Sequence, residues 1–487
     1  MSTTFIALVM ILYFGALLII SYFTSRNATS DSFFTGDKSS KWYLVAFGMI
    51  GTSISGVTFI SVPGAVGKLS FSYFQIVMGY VVGYLIIGLL LMPLYYRLNL
   101  VSIYTYLEQR FGYWSYKTGS AFFLLSRTLG SSLRLYLAAS VLQIFLFDRL
   151  EIPFYITVTF TILLIWIYTF KGGIKTIIWT DSFQTFFLIG SLCVSVHLIA
   201  QELNWSPYQL FIEVKNSSYS KIFFFEDYKS NQYFWKQFVS GIFIAIVMTG
   251  LDQDLMQKNL TCKNIKEAQK NMFWFTLTLV IVNILFLSLG ALLYIYCAAH
   301  QIEIPNRTDD LFPLLALNHF GTFAGLCFLL GIIASSYASA DSALASLTTS
   351  FCIDFLNFHK KEEKVKQKEK LLVHLGFSFV FLIVIVVFRF LNNQDVISQV
   401  LGIAGYTYGP LLGLFSFGIL TDRKFKDTMA LPISVFSPLV TYLLVSNSEY
   451  FFGGYKFSFE ILILNGAICF MLMYFFSTKK LVISAKG

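Results

Sequence analysis

Gly48-Met49-Ile50-Gly51-Thr52-Ser53-Ile54-Ser55-Gly56-Val57-Thr58-Phe59-Ile60-Ser61-Val62-Pro63-Gly64 lies inside an apolar run that extends over 44–66. A bilayer takes ~20 apolar residues to cross, so the run is long enough to span. Its middle is filled with Gly, Ser, Thr and Pro, which interrupt a helix. Broken helices expose carbonyls and half-helix ends, the groups with which carriers hold ions and anions. A simple kink is the plainer reading, since Gly and Pro are common in spanning helices. A later run, 235–256, carries Gly241 and Met248-Thr249-Gly250 in a corresponding place. Paired interruptions in two halves predict inverted repeats of five helices each.

Outward from this stretch the pattern repeats. Apolar runs fall near 5–24, 44–66, 72–97, 118–147, 154–170, 176–199, 235–256, 272–299, 322–354, 371–391, 395–420, 429–446 and 459–476. The expected architecture is an all-α integral membrane protein of about thirteen transmembrane helices. Barrel strands would be ~10 residues with alternating polarity, and these runs are longer and uniformly apolar. Hydrophobic residues make up 56% of the 487 and charged residues 13%, about half the usual charged share of a soluble domain. That excludes a cytosolic enzyme, a secreted disulfide scaffold and a disordered chain. The first run has no preceding Lys or Arg and reads as a retained span, not a signal peptide.

The net charge of +9 comes from loops, not from a nucleic-acid surface. If the N-terminus is outside, Lys and Arg are about threefold more frequent in the inner segments. That bias sets the N-terminus outside and the C-terminus inside a plasma (cytoplasmic) membrane. The run Lys360 to Lys370 reads as a solvated inner loop. One transporter domain is expected. It comprises an extra N-terminal helix and inner loop (1–41), a first five-helix repeat (42–200), an outer loop (201–234), a second repeat (235–421) and two C-terminal helices (422–487). No nucleic acid and no obligatory protein partner are expected.

A charge at mid-bilayer costs ~2.5–3.5 kcal/mol on insertion scales, so each intramembrane ionisable group is a functional candidate. Asp181, Asp341, Arg127 and Arg134 qualify. The two arginines, seven residues apart, share nearly one helix face. Asp252 and Asp354 sit at inner ends, where water reaches, and suit a structural role. Ser335, Ser339, Ser342 and Ser346 form a stripe at helical spacing. The stripe suits a hard cation that wants oxygen ligands, or close helix packing through small residues. Asp341 projects roughly 100° off it.

Four segments resemble the sodium:solute symporter family. They are Gly172-Gly173-Ile174-Lys175-Thr176-Ile177-Ile178-Trp179-Thr180-Asp181-Ser182-Phe183-Gln184, then Asp252-Gln253-Asp254-Leu255-Met256-Gln257-Lys258-Asn259-Leu260, then Ser339-Ala340-Asp341-Ser342-Ala343-Leu344-Ala345-Ser346, and Tyr408-Gly409-Pro410-Leu411-Leu412-Gly413-Leu414-Phe415. The Trp-Thr-Asp element is the most specific. The resemblance implies a leucine-transporter-like core of 5+5 inverted repeats and sodium-driven symport by alternating access, not an enzyme. It implies Na+ as coupling ion, with one or two sites. The general site would use carbonyls of Gly51, Ile54 and Ser335 and the hydroxyl of Ser339. Relatives usually carry a second hydroxyl where this chain has Ala338, so one ligand is missing. A second site in some relatives would fall on Asp181 and Ser342, with Asp341 adding a carboxylate. A proton on one of these carboxylates, or a structural ion pair, is the alternative.

For the solute, the resemblance to sialic acid carriers points to Ser55, Thr58 and Gln75, with Arg134 or Arg127 holding a carboxylate. Met248 falls at an inner gate position. The expectation is import of a small carboxylate-bearing solute such as sialic acid. A sugar or polyol, or an amino acid such as proline, is the alternative. A channel or a transporter-like sensor belongs to another class.

Overall fold

The computed structural model describes residues 3–26, 30–170, 172–358, 361–391 and 396–479. Nearly all of it is helix, because a chain in lipid must satisfy its backbone groups internally. Among the described residues, eight helices are long and apolar enough to cross a membrane, and nine if one bent pair counts as a single span. Helix lies under each of the thirteen expected runs, but the count of thirteen spans does not follow. Helices Phe154–Thr169 and Ile461–Phe475 are short, and Tyr113–Leu142 is long but rich in Ser, Thr and Arg. Lys360 lies outside the described residues. The rest of the basic run is not a loop, because a helix Glu363–Leu391 begins within it. Its Lys370 ammonium sits 4.5 Å from the Phe33 ring.

Both interruptions are present. Helix Trp42–Ser53 ends where Ile54 turns to φ −88°, ψ 80°, and helix Gly56–Leu69 begins after an extended Ser55. Helix Phe234–Ala245 passes into a π-helical turn, Ile246–Gly250. It breaks at Leu251 and Asp252 and resumes as Gln253–Leu260 at an angle of 63°. The Asp252 carboxylate caps the second piece, accepting from Asp254 N–H at 2.9 Å.

Close packing explains several glycines. Helix Tyr73–Ile86 lies so near Phe234–Ala245 that a Cβ on Gly79 would stand 2.2 Å from the Phe238 carbonyl oxygen. A Cβ on Gly241 would stand 2.2 Å from that of Ile76. Helix Gly321–Asp354 runs through the centre. Ser335, Ser339, Ser342 and Ser346 are buried, but so are Tyr337, Ala340 and Leu344 between them. The serine stripe therefore does not mark one inward face: this helix has protein on every side. Asp252 and Asp354 are also fully buried, contrary to the expected water access. Asp354 is satisfied by Ser120, Ser350 and Tyr116 hydroxyls, so no water is needed.

Helix Val396–Leu420 contains Pro410, which cannot donate to the carbonyl four residues back. The Asn465 side chain of helix Ile461–Phe475 does so instead, giving Nδ2 to the Tyr406 oxygen at 2.9 Å and the Gly405 oxygen at 3.1 Å. Beyond these helices, Lys424–Phe425 pairs antiparallel with Ser477–Thr478.

Candidate functional site

The first break faces a polar cavity in which about 90 Å³ is open to the centre of a water molecule. Ser53, Ser55 and Thr58 line it from the break, Arg127 and Arg134 from helix Tyr113–Leu142, and Met248 and Thr249 from the π-helical turn of the second broken helix. Of the expected solute contacts, Ser55, Thr58, Arg127, Arg134 and Met248 thus come together. Gln75 does not. Its amide is consumed elsewhere, donating to Gln237 Oε1 at 2.8 Å and the Gln232 carbonyl at 2.9 Å and accepting from Phe224 N–H at 3.2 Å. It ties the loop 217–233 to the helices.

The two arginines differ in their partners. Arg127 is buried and ion-paired with Asp254, with Asp252 3.7 Å away. Asp254 also takes the Ser342 hydroxyl, and Asp252 the Tyr408 hydroxyl. This network joins four helices below the cavity. Arg134 has no carboxylate partner among the described residues. Its only hydrogen bond there is a long one, from Nη1 to the Ser339 hydroxyl at 3.4 Å. A half-buried cation with no carboxylate beside it favours an anion.

The expected sodium ligands lie where the first break meets helix Gly321–Asp354. A Cβ on Gly51 would sit 3.5 Å from Ala338 Cβ and 2.4 Å from Thr185 Oγ1, so glycine permits this approach. The Ser335 hydroxyl bonds its own helix, to the Ile332 oxygen at 3.0 Å. Ser336, pressed against Gly56, keeps a buried hydroxyl with no protein partner. The resemblance put Asp181, Asp341 and Ser342 in a second site. No hydrogen bond joins Asp181 to the other two among the described residues. Asp341 accepts from the Tyr168 hydroxyl at 2.9 Å and from Ser342 N–H at 2.6 Å, while the Ser342 hydroxyl is given to Asp254.

Asp181 has a partner that sequence reading missed. Lys258 is buried, and its ammonium donates to both Asp181 Oδ2 and Thr52 Oγ1. Its stretch Gln253–Leu260 is polar by composition, so hydropathy gives no hint of its depth. Asn283 was missed too. It lines the cavity with Oδ1 unpaired, and a lone amide in an apolar run belongs to no motif that would mark it.

The family model described as the sodium:solute symporter family matches residues 33–429. A sodium/sialic acid symporter of Aliivibrio fischeri is 26% identical, over 91% of this chain and 88% of that protein. One of Proteus mirabilis is 24% identical over 84% of each. The fold matches a Na+-coupled sialic acid symporter solved substrate-bound and outward-open, with TM-score 0.81, 21% identity, and coverage of 96% of this chain and 97% of that one.

Proposed function

Because the chain belongs to the sodium:solute symporter family, we propose that it imports a carboxylate-bearing solute, such as a sialic acid, with sodium. The coupling ion and the symport class follow from membership, and the fold is of the leucine-transporter-like kind. The solute reading rests on Arg134, the cavity cation without a carboxylate partner among the described residues. A planar guanidinium grips a carboxylate through two parallel hydrogen bonds. Ser55, Thr58, Thr249 and Asn283 provide polar contacts for hydroxyl or amide groups around it. The sialic acid symporters among the relatives support the same choice.

Sodium sits, in this reading, against the carbonyls of Gly51, Ile54 and Ser335 and the hydroxyl of Ser339. Arg134 already reaches Ser339, so ion and solute sites share a side chain. That contact links the two loads: filling one site sets the groups of the other. Each inward sodium charge gains ~2.3 kcal/mol per 100 mV of membrane potential. Residues 42–200 and 235–421 are the two repeats that rock about this site, and the chain lies in the plasma membrane with its N-terminus outside.

The test is thermal unfolding of the purified protein with sialic acids, neutral sugars, polyols and proline, each with and without sodium, followed by uptake into proteoliposomes. A carboxylate solute is expected to raise Tm only with sodium and to accumulate against its gradient. A sodium-dependent response confined to neutral sugars would end the carboxylate reading. Downhill flux without accumulation would indicate a channel, and binding without flux a sensor.

A further inference from the structure

Helix Tyr73–Ile86 continues through a π-helical turn, Ile87–Leu91, in which Gly88 faces helix Ile265–Ala299. A Cβ on Gly88 would meet nothing nearer than Met272 Cγ at 4.0 Å. The missing side chain leaves a groove between the two helices, in which about 620 Å³ is open to the centre of a water molecule. Val81, Leu85 and Leu89 form one wall, and Phe273, Leu277 and Val280 the other. Leu85, Leu89, Phe273 and Leu277 are exposed at the rim, so the groove opens toward lipid. At its floor stands Tyr84, which also lines the solute cavity.

The lining suits hydrocarbon. Its Gln269 and Thr276 side chains are already spent on backbone carbonyls, that of Gly88 at 2.9 Å and that of Met272 at 2.7 Å. The length suits one leaflet: from Gln269 to Val280 the helix rises about 16 Å, and half of a hydrocarbon core is about 15 Å. One end is charged. Lys266 stands three residues before Gln269 and seven before Phe273, on the face of the groove. Lys263 precedes it, and both are exposed. The stretch 263–270 holds three lysines against one acid, Glu267. Lys270 is turned aside, its ammonium 4.3 Å from the centre of the Trp42 ring. Lys263 and Lys266 form no ion pair among the described residues. Loop charge assigns this end to the inner leaflet, whose surface is anionic.

We infer that the groove is the seat of an anionic phospholipid, with one acyl chain lying along Gly88 and the headgroup held by Lys266 and Lys263. The chain backs Tyr84 and so braces a wall of the solute cavity. The lipid site does not depend on which solute is carried.

The test is native mass spectrometry of the delipidated full chain with equal amounts of dioleoyl phosphatidylglycerol and dioleoyl phosphatidylcholine, which differ only in headgroup. It compares wild type, Gly88→Leu and the double variant Lys263→Gln/Lys266→Gln. Wild type is expected to retain phosphatidylglycerol in preference, and the lysine variant to lose that preference. Gly88→Leu, whose leucine fills the groove, is expected to retain one phosphatidylglycerol fewer. No headgroup preference in wild type overturns the inference, even if a variant fails to fold. So does a folded Gly88→Leu that retains as much phosphatidylglycerol as wild type. A wild-type dimer that Gly88→Leu separates, with retained lipid unchanged, would show a second copy in the groove instead. With sodium present, sialic acid is expected to bind at least about fivefold more tightly in phosphatidylglycerol than in phosphatidylcholine, because a braced wall loses less freedom on binding. Equal affinity in both lipids overturns the bracing of Tyr84. Absence of sialic acid binding in both tells against the carboxylate reading, and the retained lipid still decides the site.

Discussion

Arg127 and Arg134 lie on one face of one helix, and nothing in the sequence separates them. Their difference comes from residues far along the chain. Asp252 and Asp254, on the second broken helix, neutralise the first arginine and leave the second facing the cavity. Substitutions should split accordingly. Arg134→Ala should weaken binding of a carboxylate solute by about tenfold to a hundredfold, the equivalent of one charged hydrogen-bonded contact. It should change thermal stability little. Arg127→Ala strands two buried carboxylates and should cost about 3–5 kcal/mol of stability. Titrating solute binding and unfolding both variants in parallel checks the pair, and equal losses of stability would refute the division. Lys258 shows the same limit of sequence reading. Its charge is plain, but its depth is set by the break at Leu251 and Asp252 that turns its helix back into the protein.

Among the elements, the broken helices were legible and the central helix was not. Gly, Ser, Thr and Pro inside apolar runs signal interruption, because each weakens or competes with the helical backbone bond. The serine spacing in helix Gly321–Asp354 looked informative only on the assumption of one buried face, and that helix is buried all round. Burial on every side removes periodicity as a guide. The contact between Tyr73–Ile86 and Phe234–Ala245 gives a prediction at this scale. Gly241→Leu must displace the Ile76 backbone, which cannot rotate away as a side chain would. The expected loss is at least the about 1–3 kcal/mol of ordinary overpacking. Thermal unfolding measures it. An unchanged Tm would mean that the two helices are less tightly apposed than described.

For the whole molecule, hydropathy located the helices, whereas among the described residues eight or nine are long and apolar enough to count as spans by themselves. Orientation was read from loop charge alone. With native cysteines replaced, Ser218→Cys on the loop after helix Pro207–Asn216 should react with an impermeant thiol reagent added outside intact cells. Lys263→Cys should react only in inverted vesicles, and the reverse pattern would invert the assigned topology. At this scale too, Pro410 has an effect beyond its own helix. A proline in a long helix is ordinarily a free joint, but this one is splinted by Asn465, and the strand pair beyond it closes the splint at the far end. The same helix holds Asp252 through Tyr408. The two helices are therefore tied at both ends, and any bend at the joint would have to carry helix Ile461–Phe475 with it.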